Sequence, residues 1–481
     1  MMRPARSERG AAVAGARPAL AGALALALAL AGCALAPTYE RPSPPVAAAF
    51  PDPAPPAAAA DTAPPAVAPA AEIAWHEYLL DARTRALVEL ALANNRDLRI
   101  AVLNVERARA LLGLQQADRL PSVGVGATVE RSADASRYTA GFALASFELD
   151  LFGRVRSLTD AAAARLLASD EARRTAQLSL VAAVASAELA LRADDELLTV
   201  TEAVLASREA SLSLVRRRFD GGVAAEPELR GAESLVAAAR ANVQALRRQR
   251  AQDLNALVLL VGRPLPDDLP APRSLAEHRF ADLPAGLPSQ VLLQRPDVRA
   301  AEQQLIAAYA DIGVARAAFF PRITLTGSVG TASTELSGLF GNTAWSFGGQ
   351  LLQPLFDAGR NEANLAATQA AREVALAQYE RAIQTAFREV ADALAARATL
   401  GAQREALQDQ ARAEAQRLAL TEMLLSHGAA SALERLDAER ATLAARQAVV
   451  QALLAERQNA LLLYRVLGGG ALAPLPAPSP R

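Results

Sequence analysis

Two hydrophobic patterns, one alternating and one helical, divide this chain of 481 residues into short strands and very long helices. Apolar residues alternate with polar or small residues over 122–130 and over 138–150, which is the period of a strand with one apolar face. Residues 322–331 and 344–353 repeat this alternation. Each predicted strand has about ten residues, the length that a tilted strand needs to cross a membrane.

Helical patterns fill most of the remaining chain. Asp81 can cap a first helix that is interrupted near Asn94-Asn95 and ends at Pro121. Residues 155–219 contain neither glycine nor proline, and a turn at Gly221-Gly222 precedes a helix that starts near Pro227 and ends by Gly262. In the second half, helix is predicted over 361–426 and, after a turn at Gly428, as far as Leu467. Apolar residues at spacings of three and four indicate coiled-coil packing of these helices.

The order of these elements occurs twice, which indicates an internal duplication. Asp97 precedes Pro121 by 24 residues, and Asp297 precedes Pro321 by the same interval. Glycine landmarks later in the chain repeat at an offset of 206 residues, as Gly222 and Gly428 do. The sequence therefore predicts a first repeat over 72–263, a Pro-rich linker over 264–288, a second repeat over 289–468 and a C-terminal tail over 469–481.

Four membrane-length strands are too few to close a barrel, and an open sheet edge is not tolerated in lipid. Three chains that contribute four strands each would give twelve, an even number within the known range. The predicted fold class is therefore mixed α and transmembrane β. It consists of a trimeric twelve-stranded β-barrel continuous with a long α-helical barrel.

The N-terminal region has the pattern of a lipoprotein signal peptide over residues 1–32. Arginines precede a short apolar run, which ends in Leu30-Ala31-Gly32-Cys33. Cys33, the only cysteine, is predicted to be acylated and to become the mature N-terminus, with outer-membrane lipid around its acyl chains; the alternative is a free thiol beside a cleavage site. Residues 33–71 are rich in proline and alanine and predict an extended tether or wrapping arm.

Composition excludes several classes of chemistry. The chain contains no lysine, so a Walker-type phosphate loop or a Schiff-base lysine is impossible. The formal net charge of −1 gives no general attraction to nucleic acid. His76, His278 and His427 lack metal-ligand spacing. We therefore expect neither an enzyme nor a cofactor other than the covalent lipid on Cys33.

Residues 293–302 and 310–321 closely resemble the outer-membrane factors of tripartite efflux pumps, the TolC/OprM-like channels and in particular their NodT-type lipoprotein branch. Residues 148–154 and 355–360 match the same family where strands meet helices. The resemblance implies a homotrimer with its barrel in the bacterial outer membrane and a helical tunnel in the periplasm. It also implies a periplasmic adaptor (membrane fusion) protein, an inner-membrane transporter of the resistance-nodulation-division (RND) type, and drugs or other small toxic compounds as substrates.

Two alternatives remain open at this point. A type I exit duct for secreted proteins would use the same fold. A lipid-anchored periplasmic coiled-coil scaffold without a pore belongs to another class, and the four alternating strands argue against it. Conductance in planar bilayers would distinguish a channel from a scaffold.

The resemblance assigns roles to the two helical turns, which form the periplasmic tip in this family. Residues at the turns themselves are expected to dock the adaptor: Gly221, Gly222, Val223, Gly428 and Ala429. Residues just beyond the turns are expected to line the closed periplasmic aperture: Glu228, Leu433, Glu434, Asp437 and Arg440. Gly231 occupies the position in the first repeat that corresponds to Asp437, so that repeat lacks the second acid.

Helix capping offers a second explanation for two of these residues. Ser431 and Glu434 have the spacing of a capping box, which by itself would account for Glu434. Glu228 beside Pro227 fits an ordinary helix start that favours acidic residues. Asp437 lies beyond the first helical turn, so capping does not explain it.

Overall fold

The computed structural model describes residues 35–51, 70–133, 135–283 and 289–471. The predicted signal peptide and Cys33 lie outside the described residues, as do most of the C-terminal tail and parts of the tether and linker. Within the described residues the α-helices are α1 (Trp75–Tyr78), α2 (Ala82–Asn94), α3 (Arg96–Ala117), α4 (Arg154–Asp220), α5 (Glu226–Val261), α6 (Pro296–Ala317), α7 (Arg360–Ser426) and α8 (Ala432–Val466). The strands are β1 (Val123–Arg131), β2 (Ser136–Leu149), β3 (Arg322–Ser333) and β4 (Thr343–Leu352), and 3₁₀ turns span Ser289–Gln294 and Leu336–Gly338.

The predicted elements are confirmed, and each strand begins and ends within two residues of its predicted bounds. Asp81 caps α2 by accepting a hydrogen bond from the backbone N–H of Thr84 (2.8 Å). Asn95 separates α2 from α3 and caps α3 through the N–H of Leu98 (2.9 Å). Helices α4 and α7 each contain 67 residues, or about 100 Å at the usual rise per residue. An 18-residue stretch of α4 is apolar enough to cross a membrane, but half of it is buried within the chain, as in ordinary core helices.

The described residues divide into two compact units, and the first contains the sheet. The strands pair antiparallel in the order β1-β2-β3-β4, so β2 of the first repeat hydrogen-bonds to β3 of the second. At the centre of this pairing Gly141 faces Gly330, and a Cβ added to either would collide with the opposite backbone. The two repeats therefore meet along a line of backbone hydrogen bonds where two glycines allow close approach.

The first strand-to-helix junction explains the motif over residues 148–154. Asp150 accepts hydrogen bonds from the backbone N–H groups of Val155 (3.1 Å) and Arg156 (2.7 Å), which caps α4. The Arg154 guanidinium binds Glu148 in a bidentate pair, with both N···O distances 2.7 Å. The acidic residues of this motif therefore fix the direction in which the helix leaves the sheet.

The second unit contains the two helical hairpins and a buried arginine from the other motif. Arg295 is almost fully buried, and its guanidinium donates to the Val466 carbonyl (2.9 Å) and to the carboxylates of Asp297 and Glu389 (both 2.7 Å). These contacts join the start of α6 to α7 and to the end of α8. Because a buried guanidinium needs such partners, the motif residues at 295 and 297 stabilise this part of the core.

Candidate functional site

Both hairpin tips adopt the same glycine-dependent turn. Gly222 and Gly428 have a φ of +76°, a left-handed conformation that favours glycine. At the first tip the N–H of Val223 donates to the Arg218 carbonyl (2.8 Å), and at the second the N–H of Ala429 donates to the Leu424 carbonyl (2.8 Å). Together with a bond from each glycine N–H, this is the Schellman pattern that ends a helix.

Asp437 lies at the centre of a charged cluster on the second hairpin. Arg440, three residues along α8, donates to its Oδ1 at 2.7 Å. Arg417 on the facing helix α7 reaches Oδ2 at 3.5 Å and also pairs with Glu414 at 2.7 Å. The Asp437 side chain is 52 % exposed, so the described chain leaves it accessible from outside.

Glu434 forms the capping box. Its Oε2 accepts hydrogen bonds from the backbone N–H (2.6 Å) and the hydroxyl (2.9 Å) of Ser431, and the Glu434 N–H donates back to that hydroxyl (3.2 Å). The backbone hydrogen bond from Ser431 holds the pKa of the Glu434 carboxyl below its usual range. These hydrogen bonds show that Glu434 belongs to a capping box.

At the first hairpin the acids pair with arginines. Glu228 lies 3.2 Å from Arg218, and Glu233 accepts from both Arg230 (2.9 Å) and Arg216 (3.0 Å). The start of α5 has no side-chain cap, because Ala225 stands at the N-cap position. Each of these acids thus has a partner of opposite charge within its own hairpin.

Apolar side chains are exposed around the second turn. Leu433 is 75 % exposed, and Leu420, Met423 and Leu424 on α7 are also exposed. At the first tip Val223 is 72 % exposed. Exposed apolar residues that cluster at one end of a hairpin are a common sign of an interaction surface.

A polar contact between the two hairpins lies two residues from Asp437 along α8. Arg435 of α8 donates to the Ser211 hydroxyl of α4 (2.9 Å) and lies 3.5 Å from the buried Glu439. Arg208 of α4 lies 3.9 Å from the same carboxylate. This interaction connects the second hairpin to the first beside Asp437.

Arg417 was missed by the sequence analysis, although a signal for it exists. In an antiparallel hairpin, residues at similar distances on either side of the turn face each other. Arg417 precedes Gly428 by eleven residues and Asp437 follows it by nine. Counting outward from the turn glycine would therefore have placed Arg417 opposite the acid.

A pair of acids, of which Asp194 is buried and Asp253 is half-buried, lies farther along the first hairpin. Asp194 of α4 is 6 % exposed, its Oδ2 accepts no hydrogen bond from the described residues, and it faces Asp253 of α5. Burial, and then the nearby Asp253 carboxyl, raise the pKa of Asp194 to about 7. Neighbouring Asp195 is neutralised by Arg250 (2.5 Å). The pair therefore favours a form that holds a proton at neutral pH and below.

Within the part of the chain that the structure describes, no group of three or more His, Cys, Asp or Glu residues is arranged to hold a metal ion. The described residues instead combine an exposed four-stranded sheet with two long helical hairpins. This combination defines the class of outer-membrane channels.

Comparison with known proteins identifies the family. The sequence profile described as "Outer membrane efflux protein" matches residues 87–263 and 287–469, most of both repeats. "Outer membrane protein OprJ" of Pseudomonas aeruginosa is 44 % identical over 467 residues, covering 93 % of this chain and 95 % of OprJ. "Toluene efflux pump outer membrane protein TtgI" of Pseudomonas putida is 42 % identical over 458 residues, covering 92 % of this chain and 96 % of TtgI.

Solved structures agree with this result. The open state of the Neisseria gonorrhoeae MtrE outer membrane channel superposes with a TM-score of 0.82 at 40 % identity, covering 91 % of this chain and 99 % of MtrE. The CusC channel gives a TM-score of 0.80 at 36 % identity, covering 91 % of this chain and all of the CusC chain. The chain therefore belongs to the outer membrane efflux protein family. It is an outer-membrane exit channel of an efflux system, as the sequence predicted, and not a scaffold without a pore.

Proposed function

We propose that three copies of this chain form a twelve-stranded barrel and a periplasmic tunnel through which an RND-type pump, joined by an adaptor protein, expels small toxic compounds. The observation that carries the trimer is the open sheet. Strands β1 and β4 are its edges, and every residue of β1 is exposed. Unpaired backbone edges are too costly to leave in hydrocarbon, so neighbouring chains must pair with them.

Apolar residues on the edge strands support a position in lipid. Val123, Val125 and Val129 of β1 are exposed at alternate positions. Trp345, Phe347 and Leu351 of β4 follow the same period. Alternation of apolar residues with small or polar ones suits a wall that has lipid on one side and water on the other.

Apolar small molecules are the proposed substrate class. TtgI is named for toluene efflux and SrpC of Pseudomonas putida for solvent efflux, each about two-fifths identical to this chain. The names of these relatives describe efflux pumps, which favours small-molecule efflux over the type I protein-secretion alternative. The adaptor would dock at the two tips, on Gly221, Gly222, Val223, Gly428 and Ala429.

The resting gate is proposed at the second tip. Three-fold symmetry would bring three copies of Asp437 around one axis, and a ring of carboxylates favours cations. Arg417 and Arg440 would hold each carboxylate in the closed state, with Leu433 narrowing the aperture. Glu228 and Glu434 would add charge at the rim, although each already has a partner in its own hairpin.

Cys33 is the proposed lipid attachment point. It directly follows Leu30-Ala31-Gly32 and is the only cysteine of the chain. Because one acyl chain binds a membrane only marginally, stable anchoring would need two or more chains. The barrel would also hold the protein in the membrane, so Cys33→Ser should retain part of the efflux activity.

Native mass spectrometry and planar-bilayer recording test the channel. The full chain, extracted from outer membranes in mild detergent, should be a trimer with low resting conductance. A folded monomer that is stable in lipid would contradict the proposed barrel closure.

Efflux itself can be tested in a host that lacks its own exit channel but contains the matching adaptor and pump. Expression of the chain should lower the accumulation of an apolar dye and raise tolerance to toluene. Secretion of a type I substrate without any change in dye accumulation would support the alternative exit duct instead.

A further inference from the structure

Residues 35–41 of the N-terminal arm lie on helix α6, and one carboxylate of that helix binds two of them. Glu302 accepts a hydrogen bond from the Tyr39 hydroxyl (2.9 Å) and two from the Arg41 guanidinium, at Nε (2.6 Å) and Nη2 (3.1 Å). The Glu302 side chain is only 7 % exposed. Charge-assisted bidentate pairs are among the strongest hydrogen bonds in proteins, so this contact holds the arm firmly.

Two further residues of α6 also bind the arm. Arg316 donates to the backbone carbonyl of Leu35 (3.0 Å). Tyr309 packs edge-on against the Tyr39 ring, with the ring centroids 5.6 Å apart. Contacts therefore extend over four turns of one helix, from Glu302 to Arg316.

Gly313 provides the space in which the arm lies. A Cβ built on this glycine would come within 2.8 Å of the Ala36 Cβ and 2.6 Å of the Ser157 hydroxyl. Real Cβ atoms do not make such contacts, so any larger residue would push the arm away. Gly313 sits in a helix without positive φ, so the reason for glycine here is space.

The first repeat lacks every one of these features except the glycine. At an offset of 200 residues, α3 carries the following residues in place of Glu302, Tyr309, Gly313 and Arg316: Val102, Arg109, Gly113 and Gln116. A Cβ added to Gly113 would meet nothing within 4 Å among the described residues. The two copies of the helix have thus diverged, and one of them binds the arm.

We propose that Glu302, Tyr309, Gly313 and Arg316 form a dedicated docking slot for residues 35–41 of the chain's own N-terminal arm. Docking of the arm does not depend on the proposed acylation of Cys33, so the two proposals can fail separately.

Limited proteolysis of the full-length protein in outer membranes tests the slot. Chymotrypsin cleaves after Tyr39 only when the arm leaves the slot, and mass spectrometry of the released fragment gives the rate. Glu302→Gln keeps a polar side chain but removes the charge, so cleavage should accelerate about tenfold or more. Gly313→Leu should have at least the same effect because it fills the slot.

Matched changes in the first repeat serve as controls. Gly113→Leu and the exposed Glu106→Gln place the same substitutions on α3, and both should leave cleavage within about twofold of wild type, as surface changes usually do. Equal rates in all four variants would overturn the slot. Acceleration by Gly113→Leu equal to that by Gly313→Leu would also overturn it, because the effect would then not depend on the arm.

A pair of smaller substitutions distinguishes loss of docking from loss of folding. Gly313→Ala should accelerate cleavage, and adding Ala36→Gly should restore part of the protection by removing the methyl group in its way. Absence of such rescue would count against the slot. The mass of the fragment that ends at Tyr39 reports acylation separately: an unmodified Cys33 would refute the anchor but not the docking. Cys33→Ser should be cleaved at the wild-type rate.

Discussion

The two hairpin tips share one backbone turn and two glutamate positions, Glu228 with Glu434 and Glu233 with Glu439, but differ at most other charged positions. At an offset of 206 residues, Arg417, Asp437 and Arg440 of the second hairpin correspond to Ser211, Gly231 and Ser234 of the first. Conversely, the exposed Met423 and Leu424 of the second tip correspond to Arg217 and Arg218. Both copies retain the backbone of the turn, but the side chains around it differ. The first tip is mainly polar, whereas the second is apolar with one charged cluster.

The difference indicates separate tasks for the tips. Glu228 and Glu233 of the first tip are paired with arginines, so these acids add little net charge to its polar surface. The second tip combines exposed apolar residues with an acid held between two arginines. An acid held in that way can change partners without unfolding its helix, which suits a gate.

A bulky side chain in place of the turn glycine should reduce efflux more than any other change. Gly428→Trp should abolish efflux while trimers still assemble, because the indole would block adaptor docking at a turn that is already left-handed. Gly428→Ala is the matched control, since it has the same unfavourable φ without the bulk, and it should retain most transport. Efflux assays with native gels measure both outcomes. If transport survives tryptophan at both Gly222 and Gly428, the adaptor docks elsewhere.

Removing the carboxylate of Asp437 at the second tip should have the second-largest effect, on conductance and ion selectivity. Asp437→Ala frees Arg417 and Arg440 from their shared partner, so resting conductance should rise severalfold and cation preference should fall. Trimer stability should change little, since exposed ion pairs contribute about 0–1 kcal/mol. Planar-bilayer recordings give both quantities. Unchanged conductance and selectivity in Asp437→Ala and Glu434→Ala would mean that neither residue belongs to the gate.

The acid pair of the first hairpin should give a moderate, pH-dependent effect. Asp194 keeps its proton to about pH 7 in the folded chain, whereas an unfolded aspartate loses it near pH 3.9. The folded state therefore binds more protons between these values, and the free energy of unfolding should fall as pH rises through this window. Asp194→Asn should flatten that dependence in thermal unfolding from pH 5 to pH 8.

The control for this effect is Asp160→Asn, an exposed acid on the same helix, which should leave the pH dependence unchanged. The second repeat has Leu400 and Asn459 at the corresponding positions, so it offers no second pair to compensate. An Asp194→Asn variant with the wild-type pH profile would show that the pair does not store a proton.

The smallest effect should come from the helix cap. Ser431→Ala removes the capping box from α8 and makes its start resemble that of α5, where Ala225 has no cap. The loss is about 1 kcal/mol, so amide exchange at the start of α8 should accelerate about fivefold. Hydrogen–deuterium exchange measures this.

The Glu434 carboxyl, with its pKa below the usual range, stabilises the cap when ionised. This contribution is present above the pKa of an unfolded glutamate and is lost as pH falls through the lower folded pKa. Exchange that is as fast in the wild type as in Ser431→Ala would show that the cap is weak in solution.

Local patterns predicted what depends on local chemistry. The alternation over 122–130 and the absence of glycine and proline over 155–219 located β1 and α4 to within two residues. Strands and helices have characteristic periods of apolar residues, so both can be recognised from the sequence alone. The Ser431 capping box and the turn at Gly428 followed from short-range hydrogen bonding and backbone conformation in the same way.

Contacts between distant segments could not be predicted from the same patterns. The Pro-rich segment predicts an extended tether or wrapping arm, but nothing in it indicates that Tyr39 and Arg41 bind Glu302, some 260 residues away. Asp194 resembled any other helix acid until packing placed it against Asp253. Such pairs depend on how helices pack, and amphipathic periodicity gives only the face, not the partner.

The glycine pair in the sheet has an evolutionary consequence. Strands β2 and β3 come from different copies of the ancestral sequence, and they meet at Gly141 and Gly330 with backbone against backbone. A seam made of main-chain hydrogen bonds requires no matched side chains, so two newly duplicated halves could join there without prior adaptation. The two positions must stay glycine, because a Cβ at either would collide with the opposite backbone.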